Sequence, residues 1–200
     1  MADPTALSAT ALARAIRSKR LSAVEATKAH LARISQRNSD LRALVVVDEA
    51  AALARARAAD RALAKGQSWG PLHGVPMTIK EAFDVKGWRT PSSFAPLADN
   101  VATQDATAVA RLRAAGAVFL GKTNVPELCM DVQANSPLFG EAANPWGLRR
   151  TPGGSTGASV RRCVPPNAPA SSAYGATPWP ARWSPAGASR GEAGATGAAR

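Results

Sequence analysis

Lys80 closes the run His73-Gly-Val-Pro-Met-Thr-Ile-Lys80, in which apolar residues lead to a single amine followed by Glu81. Such a run reads as a strand that delivers a lysine at its end. Burying an amine disfavours its charged form, so the residue can serve as a base. The same residues also fit a lysine that snorkels from a strand end to water, paired with Glu81 or Asp84. A second stretch, Thr151-Pro-Gly-Gly-Ser155-Thr-Gly-Ala-Ser159, interleaves glycines with hydroxyls. Glycine lets a backbone approach a ligand, hydroxyls carry protons, and successive amides can hold an oxyanion. Alone, a stretch of this kind is more often an ordinary connecting loop. It lacks the Gly-Lys-Ser/Thr ending of a phosphate loop.

A third match is accidental. Gly116-Ala-Val-Phe-Leu-Gly121-Lys122-Thr123 fits the spacing of a phosphate-cradling loop. Its four inner residues are apolar and suit a strand, and Pro126 interrupts the long helix that such a loop must open. No nucleotide site is expected there. His30 and His73 are far apart, and Cys129 and Cys163 form neither a disulfide framework nor a ligand spacing. No metal site is expected. No apolar run approaches the roughly 18 residues that cross a bilayer, and the first residues lack a signal-peptide core. A cytoplasmic setting without a membrane partner is the expectation.

The elements that must position these residues can be read from periodicity. Leu12 and Ile16 lie one turn apart in a first helix. Ser22-Ala-Val-Glu25 fits a capping box opening a second, with Val24, Thr27, Leu31 and Ile34 along one face. Leu41-Arg-Ala-Leu-Val-Val-Val47 is short and β-branched and reads as a buried strand. An alanine-rich helix follows, with Gly66 as its C-cap. Beyond it, Gly74–Lys80 and Ala117–Thr123 read as strands flanking a helix that acidic and hydroxyl residues open near Thr103–Thr107. The prediction is an α/β fold, with sheet strands buried between helices and an N-terminal helical region.

The net charge of the 200-residue chain is +11. Such a value suggests a nucleic-acid partner until its distribution is considered. The last forty residues carry five arginines and one glutamate, and the rest is spread in alternating signs. Alternation makes solvated helix faces, so nucleic acid is not the expected partner. A non-enzymatic basic protein that binds an acidic partner is the alternative from another class.

Taken in order, PLHGVPMTIKEAFDVKGWRT, DATAVARLRAAGAVFLGKTNVPEL, SPLFGEAANPW and RTPGGSTG closely resemble the amidase signature family of Ser–Ser–Lys amide hydrolases. The resemblance runs from about residue 5 to Gly157. It implies a mixed sheet flanked by helices, incomplete in this chain. It also implies that Lys80 is the terminal base and that Ser155 bridges it to a nucleophilic serine, with a cis peptide before Ser155. The implied chemistry is acyl transfer from a small carboxylic amide through an acyl-enzyme, with no metal or organic cofactor needed. The resemblance also covers the glutaminase subunit of a tRNA-dependent amidotransferase, which would need partner subunits. FDVKGWRT and NVPELCMDVQANSPLFG look closer to the general amidases.

The family's nucleophile sits in a stretch of the type G-S-D-x-G-G-S, about two dozen residues past the bridging serine. Here that neighbourhood reads ATPWPARWSP, and Ser171, Ser172 and Ser184 lack the glycine and aspartate context. Residues 161–200 hold eleven alanines, six prolines, five glycines and five arginines, with no leucine, isoleucine, phenylalanine or lysine. That composition fits a low-complexity linker. It also fits translation of a GC-rich gene in a wrong frame, and the break inside a motif favours this second reading. A shifted frame from Val160 permits an alanine-rich run of the kind the family places there. Residues 1–159 are therefore expected to form the N-terminal part of an incomplete amidase domain. Residues 160–200 are expected to be a tail outside that fold, leaving the chain without its nucleophile, inactive and poorly soluble.

Overall fold

In the computed structural model, residues 3–153 are described. The first helices are α1 (Ala9–Arg17) and α2 (Ala23–Leu41). Ser8 caps α1 through Ala11 N–H. The capping box of α2 is present: Ser22 Oγ accepts from Glu25 N–H, and the Glu25 carboxylate accepts from Ser22 N–H. Two further amides of that helix start, Ala23 and Val24, donate to Asp60 from the next helix. Helix α2 ends at Arg42, and Asn38 ties the turn by pairing both backbone groups of Leu44.

Strand β1 (Leu44–Val47) leads into α3 (Glu49–Ala64), after which Gly66 adopts φ +75° at the predicted helix end. Then come β2 (Pro76–Lys80), α4 (Thr107–Ala114) and β3 (Val118–Thr123). A two-residue pair, β4 (Asn135–Ser136) and β5 (Gly140–Glu141), follows. The main sheet has the order β1-β3-β2, with β2 parallel to β3 and β1 antiparallel to it. This is the α/β fold that the residue pattern predicts, with the mixed sheet that the resemblance implies.

Two expectations change in detail. Strand β1 is half-buried, because it stands at an edge of the three-stranded sheet, whereas all six residues of β3 are buried. The start of α4 has no side-chain cap: Ala106 occupies the N-cap. Asp105 instead accepts from Lys86 N–H and pairs with Arg113 two turns along.

Strand β3 is the wall between two apolar clusters. Val118 and Leu120 join Leu12, Ile16, Leu31 and the alanines of α3. Ala117 and Phe119 join Ile79, Val85 and Val109. The alanine content has a use here: Ala52, Ala56 and Ala59 let α3 lie close to the sheet. Elsewhere Leu128, Met130, Val132, Trp146 and Leu148 are exposed.

Gly121 fixes how closely β1 approaches. A β-carbon placed on it would lie 2.0 Å from the carbonyl oxygen of Val46, on the neighbouring strand. Relief requires moving backbone, which no rotamer change can do. Gly121→Ala is expected to lose about 2–4 kcal/mol of stability by prying β1 from β3, measured by urea unfolding. A midpoint equal to that of the parent would show that the two strands separate without cost.

Candidate active site

Lys80 is the last residue of β2, and the parallel register sets it level with Thr123, the last residue of β3. The pair therefore lies at the carboxyl ends of two parallel strands, where α/β sheets place their ligands. The ladder continues one residue further, since Glu81 N–H donates to Thr123 O at 3.2 Å. Lys80 is half-buried. The hydroxyl of Thr123 and the amide oxygen of Asn124 are buried and meet no hydrogen-bond partner among the described residues. Asn124 is held by its other atoms, donating through Nδ2 to Arg42 O and Gly140 O. Unspent polar capacity beside a strand-end lysine is a property of sites that bind something polar.

Ser155 and the Gly154–Ser155 peptide lie outside the described residues. The lead-in to them is described: Asn144 Nδ2 donates to Thr151 O, Gly153 N–H donates to Thr151 Oγ1, and Gly153 has φ +73°.

The spacing argument missed the most heavily buried charges in the described chain. Lys122 and Glu81 are both fully buried, with Nζ and Oε1 at 3.7 Å. Register explains the meeting. Ile79 is level with Lys122, and side chains two apart on a strand share a face, so Glu81 follows Ile79 to the face of Lys122. Lys80, between them in sequence, leaves the opposite face. Lys122 Nζ donates to Arg89 O at 2.8 Å and to Thr90 Oγ1 at 2.6 Å. Each oxygen of Glu81 accepts one backbone amide, Ser92 N–H at 3.2 Å and Ser93 N–H at 3.1 Å.

The carboxylate that the sequence offers as a partner for Lys80 thus forms its salt bridge with Lys122. The signal was present in the mistaken phosphate-loop match, which contains a lysine inside an otherwise apolar strand. A charge so placed demands a counter-charge in register with it. Burial in β3 also disposes of the nucleotide reading, because the strand's amides belong to the sheet.

The histidines have plain structural partners. His73 accepts from Trp69 N–H through Nδ1 and contacts Ala59 O through Nε2. His30 Nδ1 lies 2.8 Å from Ala26 O. Among the described residues no three His, Cys, Asp or Glu side chains gather as a metal site, and no helix is long and apolar enough to cross a membrane.

Burial pushes the Lys122 ammonium down to about 8, against the opposing pull of Glu81 and Asp84. Burial likewise raises Glu81, against Lys122 and the two serine amides. Between about pH 8 and the ordinary lysine value of 10.5, the unfolded chain holds the Lys122 proton more tightly than the folded one. The cost of the buried ammonium is carried in full below that window and relieved across it, so this residue makes stability rise with pH there. The Glu81→Gln/Lys122→Met double variant removes both charges and should flatten the rise, measured by urea unfolding from pH 7.5 to 10. Superimposable pH profiles would show that folding does not displace this proton.

Residues 25–160 match the family model described as Amidase. The chain is 43% identical over 149 residues to a glutamyl-tRNA(Gln) amidotransferase subunit from Methylobacillus flagellatus, covering 74% of this chain and 30% of that protein. Among solved structures, a fatty acid amide hydrolase is similar with a TM-score of 0.76 and 27% identity, over 80% of this chain and 29% of its own. The native peptide amidase from Stenotrophomonas maltophilia gives 0.69 and 31%, over 76% and 32%. The chain spans about a third of the length of these relatives. With fold and family match in agreement over the same residues, the chain belongs to the Amidase family.

Proposed function

We propose that this chain is the N-terminal part of an amide hydrolase that cleaves the carbon–nitrogen bond of small carboxylic amides through an acyl-enzyme. The observation that carries the reading is Lys80 at the carboxyl end of β2, in the segment that resembles the family's base-bearing strand. In this scheme the neutral Lys80 amine takes a proton from Ser155 as Ser155 takes one from a nucleophilic serine. That serine attacks the amide carbonyl, and backbone amides hold the developing oxyanion. The amine leaves with a proton returned along the same relay, and water then hydrolyses the ester. Lys80 and Ser155 are the two members of the relay carried by this sequence, and the scheme requires no metal or organic cofactor.

Residues 160–200 contain no glycine-flanked serine of the family type, and the family match stops at residue 160. We therefore read residues 160–200 as a frame-shifted stretch and the chain carrying them as inactive. The setting we infer is cytoplasmic.

A second reading has specific support. The Methylobacillus flagellatus relative is named as an amidotransferase subunit, so a glutaminase component that works with partner subunits is a competing assignment. The segments around FDVKGWRT and NVPELCMDVQANSPLFG favour a free-standing amidase. The basic-protein alternative draws only on the arginines of residues 161–200.

The coding DNA from codon 150 to well past codon 200 tests the frame. A one- or two-base correction near codon 160 should restore an alanine-rich helix and a glycine-flanked serine. The corrected chain should hydrolyse simple amides, and Lys80→Ala should lower its kcat by about 10³-fold or more, as loss of a general base does. Glutamine as the preferred substrate, with activity only alongside co-expressed subunits, would select the amidotransferase reading. DNA that confirms the sequence, together with amide hydrolysis by the chain as it stands, would overturn the frame reading and the relay built on it.

A further inference from the structure

We propose that Glu81 and Lys122 form the positioning pair for Lys80, pinning the carboxyl end of β2 to residues 89–93 so that the Lys80 amine is presented in one place. The inference rests on the reading of Lys80 as the general base.

Four directional bonds and one ion pair converge on this point. Lys122 reaches Arg89 O and Thr90 Oγ1, Glu81 receives Ser92 and Ser93 N–H, and the two charges face each other at 3.7 Å. Both serines adopt left-handed backbone, φ +51° and +53°, which non-glycine residues hold only where the surroundings enforce it. Successive amides in such a turn form a concave anion seat, and here the anion is an internal carboxylate. The seat is itself anchored: Leu128 N–H donates to Ser92 O, and Ser93 Oγ donates to Val125 O. The segment after β3 is therefore tied to the same loop.

Stability alone does not account for this arrangement. A buried ion pair returns little net free energy over apolar residues of equal volume, because desolvation offsets attraction. What charges add is direction. Glu81 is covalently next to Lys80, and its N–H extends the β2–β3 ladder past the strand end. With its carboxylate seated on one face and its amide bonded to Thr123 O, the peptide between Lys80 and Glu81 has no freedom to rotate. The Lys80 side chain, leaving the opposite face, inherits that constraint. Glu81 and Lys122 touch no substrate in this scheme; they act through the backbone, as buried supports of a site commonly do.

The test reads Lys80 directly, with no turnover required. The full chain and its Glu81→Gln, Lys122→Met, double and Thr90→Val variants are treated with a trace of an N-hydroxysuccinimidyl acetate. Acetylation at Lys80 is then quantified by mass spectrometry relative to the exposed Lys19 and Lys28, and thermal midpoints are recorded alongside. A positioning role predicts that the Lys80-to-Lys28 ratio changes about tenfold in the charge variants, as misplacing a reacting group does, while Lys19-to-Lys28 stays constant. Thr90→Val, which removes one of the Lys122 bonds and leaves both charges, should move the ratio in the same direction by less. If a charge variant fails to fold, Thr90→Val and the double variant carry the same readout. A Lys80 ratio within about twofold of the parent in every folded variant, whatever happens to the midpoints, would reduce the pair to a purely structural element and overturn the proposal. The ratio is independent of amide hydrolysis. A moved ratio with no hydrolysis by the frame-corrected chain sinks the amidase reading alone, and an unmoved ratio with Lys80-dependent hydrolysis sinks the positioning role alone.

Discussion

All six residues of β3 are removed from water, and one of them is a lysine. A charge in that position has to be answered from within the fold, and the answer organises everything around it. Glu81 supplies the counter-charge, the Arg89 carbonyl and Thr90 hydroxyl take two of the ammonium's hydrogens, and the Ser92 and Ser93 amides hold the carboxylate. Residues 88–102 contain no sheet strand or α-helix of their own. Their course over the sheet is fixed because the buried pair requires their polar groups at defined places.

The parallel pairing of β2 with β3 turns that requirement into a device for separating two tasks. Residues alternate between faces along a strand, so Ile79 and Glu81 serve one side and Lys80 the other. One face is closed by the Val85–Val109–Phe119 cluster and the ion pair; the other presents Lys80 level with Thr123. A one-residue slip of β2 would exchange these roles, burying the candidate base and aiming Glu81 at the site. The register is held on the far side of β3 as well, where Gly121 lets the Val46 carbonyl come closer than any side chain would permit.

Much of this was legible from local pattern. The capping box at Ser22, the end of α3 at Gly66 and the strands ending at Lys80 and Thr123 are each specified within a few residues. What the pattern did not show depends on residues far apart in the chain. Asp60 capping α2 from α3 spans 36 or 37 positions, and Lys122 meeting Thr90 spans 32. The uncapped start of α4 is the same kind of case: Asp105 looked like a cap by position, but Arg113 and the Lys86 amide compete for it. Of the two residues proposed for the relay, Lys80 could be placed because a strand delivers it, whereas Ser155 falls beyond the described segment.

The charge state of the buried pair bears on the chemistry assigned to its neighbour. A lone ammonium in β3 would impose the field of a full charge on an amine one strand away, and in a medium of low polarisability that field decays slowly. Pairing it with Glu81 replaces the monopole by a dipole. The sum of the two charges is zero whether the proton rests on nitrogen or on oxygen, so moving it changes the field at Lys80 far less than creating or removing a charge would. The design therefore lets the sheet interior hold strong, directional hydrogen bonds at the end of β2 while leaving the electrostatics of the opposite face to be set by whatever meets Lys80 there. The relay proposed for Lys80 and Ser155, built from an amine and hydroxyls, depends on that quietness.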